Sequence, residues 1–230
     1  MAAEVHGLAT FYASPAGAAA ARLVGERLRA IWPSLRGMAL LGIGHTTPYL
    51  PLWSAEAARS IALSPAQLGL APAGGGALVA EEAALPFPDL AFDRVLLLHG
   101  LEYADNVRRL LREVWRVLKD DGRLLVVAPN RRGLWAHTEH TPFGHGQPYS
   151  PGQVSRLLER HLFRIARRDS ALYTPPWAPF LRAGAAWERC GRAAWPARYA
   201  GLAIVEAEKD LLAAAPAGPA AAPRRVIVPA

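Results

Sequence analysis

Short continuous apolar runs alternate with helically spaced apolar positions in the middle of the chain. Residues 95–98 and 124–128 are unbroken apolar runs, as expected for strands that are covered on both faces. Between them, residues 110–118 place leucine and valine at the spacing of an amphipathic helix. The pattern from residue 78 to residue 130 therefore predicts strand, loop, strand, helix, tight turn and strand.

The same alternation upstream predicts a helix before the first strand. Residues 16–31 place Leu23, Val24, Leu28 and Ile31 at helical spacing, and Ser14-Pro15 supplies a start signal. The elements predicted next are a first strand at 38–41, a turn at 42–48, a short helix at 48–53, a second strand at 59–63 and a third strand at 77–80.

Downstream, the pattern predicts a helix at 151–161 and strands at 163–170 and 202–208. Strands that alternate with helices imply a parallel sheet with right-handed crossovers. We therefore expect an α/β fold with a doubly wound, mostly parallel sheet, built as a single domain over residues 1–212. Residues 213–230 are rich in alanine and proline and predict a flexible tail.

An aromatic and proline-rich insertion at about 173–199 lies between the last two predicted strands. It contains Trp177, Trp187 and Trp195. Two interpretations remain open. The segment covers the edge of the sheet, or its large rigid side chains line a pocket for a substrate.

Composition narrows the class of protein. The chain has 230 residues, 52% of them hydrophobic and 20% charged, which is ordinary for a globular protein with a real core. Its single cysteine, Cys190, excludes an internal disulfide. No apolar run approaches the roughly 20 residues that cross a bilayer, and the first residues lack the pattern of a secretory signal. We expect a cytoplasmic protein without a membrane anchor.

The net charge of +7 raises the question of a nucleic-acid partner. The arginines are scattered, many of them on predicted helices beside glutamates, so we do not expect nucleic acid to be bound. An RNA-associated protein remains the interpretation that the charge alone would favour.

A loop at 137–145 contains His137, Glu139, His140 and His145. No helix brings these side chains together, and we expect no metal site.

The central segment carries a family resemblance. An acidic pair, Leu85-Pro86-Phe87, Phe92-Asp93, a strand, a helix, an Asp-Gly turn and a final strand follow in order. This order resembles the second half of class I S-adenosylmethionine-dependent methyltransferases, closest to the subgroup called type 11. The resemblance covers roughly residues 36–130 and implies a Rossmann-like methyltransferase fold with S-adenosylmethionine as cofactor.

The resemblance implies that the turn after the first strand holds the methionine end of the cofactor. The family's acid and three alternate glycines correspond to Gly42, Gly44, Thr46 and Pro48 in the best alignment. A second alignment keeps Gly42 and Gly44 as two of the three glycines. Glycine permits close approach of the backbone, and His45 and Thr46 offer hydrogen bonds to a carboxylate. The glycine motif is incomplete in either alignment.

The resemblance also implies contacts for the ribose and the adenine. The family's ribose-binding carboxylate, at the end of the second strand, is replaced by Ala62, and no acid lies nearby in sequence. Glu81 matches the acid that meets the adenine amine, and Glu82 follows it; the second interpretation is that both are solvated loop residues. Leu63 and Leu85 are placed to sandwich the adenine.

His99 ends the fourth strand and is the candidate catalytic residue and a further cofactor contact. A base is needed only if the acceptor must lose a proton, so His99 acts as a base, orients the acceptor, or only bonds to the backbone. Glu102 and Tyr103 are predicted to begin the next helix. Asn130 binds substrate or caps a turn, and Arg131-Arg132 would attract an anionic acceptor.

These observations favour an S-adenosylmethionine-dependent methyltransferase that acts on a small-molecule acceptor. The alternative is a catalytically silent relative that keeps the fold and binds a partner or a metabolite. Ala62 and the incomplete glycine motif favour the alternative, whereas Glu81 and the intact second half favour the enzyme. The sequence indicates neither the acceptor nor the oligomeric state.

Overall fold

A computed structural model describes residues 2–68, 77–138 and 141–214. All of its strands belong to one sheet in the order β3-β2-β1-β4-β5-β7-β6, in which only β7 runs antiparallel to its neighbours. The strands are β1 (Ala39–Gly44), β2 (Arg59–Pro65), β3 (Ala77–Ala80), β4 (Phe92–Leu98), β5 (Leu118–Pro129), β6 (Phe163–Ala171) and β7 (Leu202–Lys209). The predicted doubly wound, mostly parallel sheet is therefore confirmed.

Helices cover both faces of this sheet, so the core forms two buried layers. The helices are α1 (Ala2–Ala13), α2 (Pro15–Ile31), α3 (Val107–Val117), α4 (Pro151–Glu159), α5 (Ala178–Arg182), α6 (Gly184–Ala194) and α7 (Leu211–Ala214). One layer packs α2 against the sheet, and the other packs α3 and α4 against it.

Local sequence signals explain where these helices begin. Ser14 accepts a hydrogen bond from the N–H of Gly17 and so caps α2, and Pro15 occupies its first turn. Ser150 and Gln153 form a capping box at the start of α4. The main helices and strands therefore lie close to their predicted positions.

Three elements differ from the sequence prediction. Gly42 and Gly44, predicted to lie in a turn, are residues of β1. Glu102 and Tyr103 do not begin a helix; they lie in a turn, and α3 begins at Val107 with Asn106 as its cap. Asparagine is a strong helix cap, and that signal outweighs an acid in the preceding turn. The structure also has a helix, α1, before residue 16, where none was predicted.

The aromatic insertion folds as α5 and α6, which contact α2. Phe180 packs edge-on against Trp187 with ring centroids 5.3 Å apart. Trp177 and Trp195 are about half exposed. The contacts with α2 agree with the covering interpretation. The predicted tail lies outside the described residues beyond Ala214, as do Glu139 and His140 of the histidine loop.

Candidate functional site

The strand order reverses between β1 and β4, and ligands of such sheets usually bind in a crevice at the carboxyl ends of these strands. Gly44 ends β1 with a φ of +91°, and a Cβ there would collide with the carbonyl oxygen of Leu98. The N–H of His45 donates to the same carbonyl over 2.9 Å. The tips of β1 and β4 are thus joined, and only glycine fits at position 44.

Thr46 occupies the space beside Gly42. A Cβ on Gly42 would collide with the Thr46 hydroxyl, so the threonine side chain lies directly against the strand. Thr46 is fully buried, yet its Oγ1 has no hydrogen-bond partner among the described residues. The side chain that replaces a glycine of the family pattern therefore fills part of the turn, leaving a polar atom for another group.

His99 lies at the end of β4 with both ring nitrogens in hydrogen bonds. Its side chain is 1% exposed and its φ is +53°, a left-handed conformation that is uncommon for a residue other than glycine. Nδ1 lies 2.9 Å from Oε1 of Glu102, and Nε2 lies 2.9 Å from the hydroxyl of Tyr12. When Nδ1–H donates to Glu102, Nε2 is left to accept the Tyr12 proton.

Tyr12 belongs to α1 and covers this histidine. Its hydroxyl also lies 3.1 Å from that of Tyr49. Burial raises the pKa of Tyr12 well above its ordinary value, with the hydrogen bond to Tyr49 acting in the same direction, and burial also raises the pKa of Tyr49. Both phenols therefore keep their protons, and Tyr12 can donate to His99.

His45 is a second imidazole at the same place. Its ring centroid lies 4.9 Å from that of Tyr12. Burial, helped by the nearby His99, lowers the pKa of His45 to about 4. His45 is therefore neutral near pH 7, and its buried Nε2 has no partner among the described residues.

An aromatic shell separates this polar cluster from solvent. Phe143 lies 4.9 Å from His99 between ring centroids, and Trp135 and Phe11 pack edge-on against Phe143. Trp135 and Phe143 are each 1% exposed. Such a shell lowers the local dielectric constant and strengthens the polar contacts inside it.

The crevice above β2 and β3 is different. Ala62 pairs with Gly42, and β2 continues past it to Pro65. Ser64 lies near that end with a buried hydroxyl that has no partner among the described residues. Leu63 is fully buried in the layer beneath α3. It therefore forms part of the core.

The two glutamates after β3 have different environments. Glu81 is exposed. Glu82 is 2% exposed, and its carboxylate accepts the N–H of Asn106 over 2.6 Å. Burial raises the pKa of Glu82. Glu82 thus holds the turn that starts α3, a role that the sequence did not indicate, whereas Glu81 remains free to meet a ligand.

The remaining candidates surround the crevice. The amide of Asn130 donates to the carbonyl oxygens of Ala197, Arg198 and Ala200, so it anchors the turn before β7. Arg131 and Arg132 are exposed.

Within the described part of the chain, no cluster of three or more histidine, cysteine or acidic side chains is arranged to hold a metal ion. Nor does any described helix have the length and apolar character to cross a membrane.

The structure therefore brings Gly42, Gly44, His45, Thr46 and His99 together and leaves Glu81 further along the same edge. Tyr12 and Phe143 were not predicted to lie at this site, and Glu102 was predicted to begin a helix. The pair Phe11-Tyr12 in an alanine-rich stretch was the available signal for the first of these. Its contact with His99 spans 87 positions of the chain, which no local pattern encodes.

Comparison with known proteins supports the family resemblance. Residues 41–126 match a family model described as a methyltransferase domain. A demethylmenaquinone methyltransferase of Thermus thermophilus is 35% identical over 80 residues, which are 34% of this chain and 36% of the relative. The chain spans between 17% and 39% of the length of the curated relatives that were compared.

Solved structures share the fold. A methyltransferase from Archaeoglobus fulgidus superposes with a TM-score of 0.60 at 19% identity, over 82% of this chain and 94% of the other. A Burkholderia thailandensis N-methyltransferase, solved with 1,6-didemethyltoxoflavin and S-adenosylhomocysteine, gives 0.55 at 15% identity, over 83% and 78%. The resemblance to class I methyltransferases is thus confirmed, and S-adenosylmethionine is the cofactor that this resemblance implies.

Unpartnered polar atoms at the crevice test whether this cofactor fits. Burying a polar group without a partner costs about 1–3 kcal/mol. Four such atoms lie at the tips of β1, β2 and β4, namely Nε2 of His45, Oγ1 of Thr46, Oγ of Ser64 and Oε2 of Glu102. A ligand that carries an amino acid end and ribose hydroxyls would supply the missing partners. The residues therefore fit the cofactor, although Ala62 provides no carboxylate for the ribose.

Proposed function

We propose that this protein transfers a methyl group from S-adenosylmethionine to a small-molecule acceptor that carries an ionisable hydroxyl or N–H group. The observation that carries the proposal is the buried Glu102–His99 pair beside Gly44 at the tip of β4. A carboxylate bonded to Nδ1 orients an imidazole and stabilises its charged form, which is what a general base requires.

The roles of the binding residues follow from where they lie. Gly44 leaves room for the methionine end, and His45 and Thr46 offer hydrogen bonds to its charged groups. The Ser64 hydroxyl would meet the ribose in place of the usual carboxylate, and Glu81 would meet the adenine amine. When bound, S-adenosylmethionine supplies an electrophilic methyl group.

His99 acts on the acceptor. Its Nε2 would take the acceptor proton, while Glu102 compensates the positive charge that develops on the ring. Tyr12 occupies that nitrogen at 2.9 Å, so α1 must move away before the acceptor binds. Its return would close the aromatic shell and exclude water.

The contact of Tyr12 also supports an aromatic acceptor. The phenol ring of Tyr12 packs against His45 and Tyr49, and its hydroxyl forms a hydrogen bond with Nε2 of His99. Two of the compared proteins carry names that refer to a quinone precursor and to a heteroaromatic compound. We infer that the acceptor is a small flat ring with an acidic group. The cytoplasmic location stays a prediction from the sequence.

The alternative, a catalytically silent relative, is favoured by two features. Ala62 removes the ribose anchor, and Tyr12 already satisfies His99. In that case the closed arrangement of α1 would be permanent, and the fold would serve binding alone.

Thermal unfolding with S-adenosylmethionine or S-adenosylhomocysteine tests the proposal. A ligand that binds the native state stabilises it by mass action and so raises the melting temperature. At a ligand concentration a hundred times the Kd, the free energy of unfolding increases by about 2.7 kcal/mol. We expect Glu81→Ala to reduce this shift and the exposed Glu159→Ala on α4 to leave it unchanged.

Transfer of a labelled methyl group to a panel of small phenols then separates the two functions. Transfer that is abolished by His99→Gln supports the enzyme. A thermal shift without any transfer supports the silent relative. No shift at millimolar ligand contradicts both the cofactor assignment and the enzyme.

A further inference from the structure

A groove on the outer surface of α3 lies apart from the strand tips. It has a volume of about 410 Å³, which is within the range of small-ligand sites. Its lining combines positive charge with an aromatic ring. The lining residues are Arg108, Arg112, Trp115, Arg160, His161 and Leu162.

The arginines of this groove differ from their neighbour Arg116 in their ion pairs. On the same helix, Arg116 lies 2.7 Å from Glu113 and 2.8 Å from Asp89. In the described ranges, no carboxylate lies within salt-bridge distance of Arg108, Arg112 or Arg160. Three guanidinium groups without an ion pair among the described residues therefore line one hollow.

The wall of the groove is held in place. The indole N–H of Trp115 donates to the carbonyl of Leu162 over 3.2 Å, and the N–H of Asp210 donates to the same oxygen over 2.9 Å. Leu162 has a φ of +65°, and the ammonium of Lys209 lies 4.2 Å from the centre of the Trp115 ring. The aromatic ring is thus fixed beside the free guanidinium groups.

We propose that this groove binds a small phosphorylated ligand whose phosphate is attached to a planar or apolar group. Guanidinium groups match phosphate oxygens in charge and geometry. An indole ring provides a surface for a planar group. Arg108 and Arg112 lie one helical turn apart on α3, and Arg160 follows α4, so three positive charges from two elements line the same groove. An extended nucleic acid would instead favour a stripe of charge.

The site does not depend on the proposed methyl transfer. It involves α3, Arg160 at the end of α4 and the chain that leads into β6, whereas the crevice is formed by the tips of β1, β2 and β4. A protein that fails to bind S-adenosylmethionine can still bind phosphate here, and the reverse also holds.

Calorimetric titration of the full chain with uridine monophosphate tests the proposal. Saturating S-adenosylhomocysteine is present, so that the nucleotide cannot be mistaken for a cofactor analogue. Uridine without phosphate, and inorganic phosphate alone, measure the two parts of the ligand separately. We expect the nucleotide to bind more tightly than either part.

Arg112→Gln and Arg160→Gln should each weaken binding about tenfold or more, since each removes a charged hydrogen bond. The matched control is Arg109→Gln. Arg109 is exposed on the same helix and does not line the groove, so its replacement removes the same charge and should leave Kd unchanged. All three arginines are exposed, so the melting temperatures of the three variants should equal that of the wild type.

Three results would overturn the proposal. One is the absence of nucleotide binding at millimolar concentration. Another is an equal loss of affinity in Arg109→Gln, which would reduce the effect to net charge. The last is tighter binding of single-stranded RNA or of vesicles with anionic phospholipid, lost in the same variants, which would assign the groove to a macromolecule or a membrane.

Discussion

The two halves of the crevice offer a ligand opposite environments. Above β1 and β4, His45, Thr46 and His99 are crowded together and covered by Tyr12. Above β2 and β3, Ala62 offers no charge and Glu81 is exposed. One half is filled with the protein's own polar groups, while the other lacks the anchor that the family uses. We therefore expect two features to lower the affinity for the cofactor. Above β1 and β4, α1 must be displaced, and above β2 and β3, the ribose lacks a carboxylate partner.

Removing the histidine should have the largest effect, and it acts on the crowded half alone. His99→Ala leaves the carboxylate of Glu102 buried without its partner. Loss of one member of a buried pair costs about 3–5 kcal/mol, so we expect the free energy of unfolding in urea to fall by that amount. His99→Gln, which can still donate to Glu102, should restore part of it. If His99→Ala is as stable as the wild type, the pair does not hold the tip of β4.

The crowded half should also respond to pH. The pKa of His45 is about 4 in the folded protein and 6.5 in the unfolded chain, where it binds a proton more readily. Between these pH values the unfolded state therefore binds more protons than the folded state. The contribution of His45 to the free energy of unfolding is fully present above pH 6.5 and is lost as the pH falls toward 4. The loss attributable to His45 is at most about 3 kcal/mol.

His45→Gln supplies the control for this titration. Buried carboxyl groups such as Glu82 and Glu188, whose pKa values are raised, also titrate in the acid range, and they are present in both proteins. The difference between the two stability curves isolates the imidazole. Parallel curves from pH 4 to pH 7 would show that His45 is not buried in its neutral form.

The smallest effect concerns the open half. Ala62→Asp restores the carboxylate at the family's ribose position, and a charged hydrogen bond contributes about 1.5–3 kcal/mol. We expect S-adenosylhomocysteine to bind on the order of ten- to a hundredfold more tightly. Ala62→Asn, of similar size without charge, is the control. Unchanged affinity in both variants would mean that the ribose does not lie above β2.

Much of the scaffold was predictable because its signals are local. The apolar runs of β4 and β5, the caps of α2 and α4, and the amphipathic spacing of α3 each lie within a few residues. The details of the site were not, because they depend on distant contacts. Thr46 lies against Gly42 only once the turn has folded, Glu82 serves a helix that starts at Val107, and α1 is too rich in alanine to show a clear apolar stripe.

The bond between Tyr12 and His99 joins positions 87 apart, which has a consequence for the order of assembly. Closing a long loop is entropically costly and is repaid only when both ends have ordered partners. α1 can pack against α2 early, whereas its bond to His99 forms only once the fourth strand is in the sheet. Local opening of α1 would therefore expose this end of the crevice while the sheet remains intact.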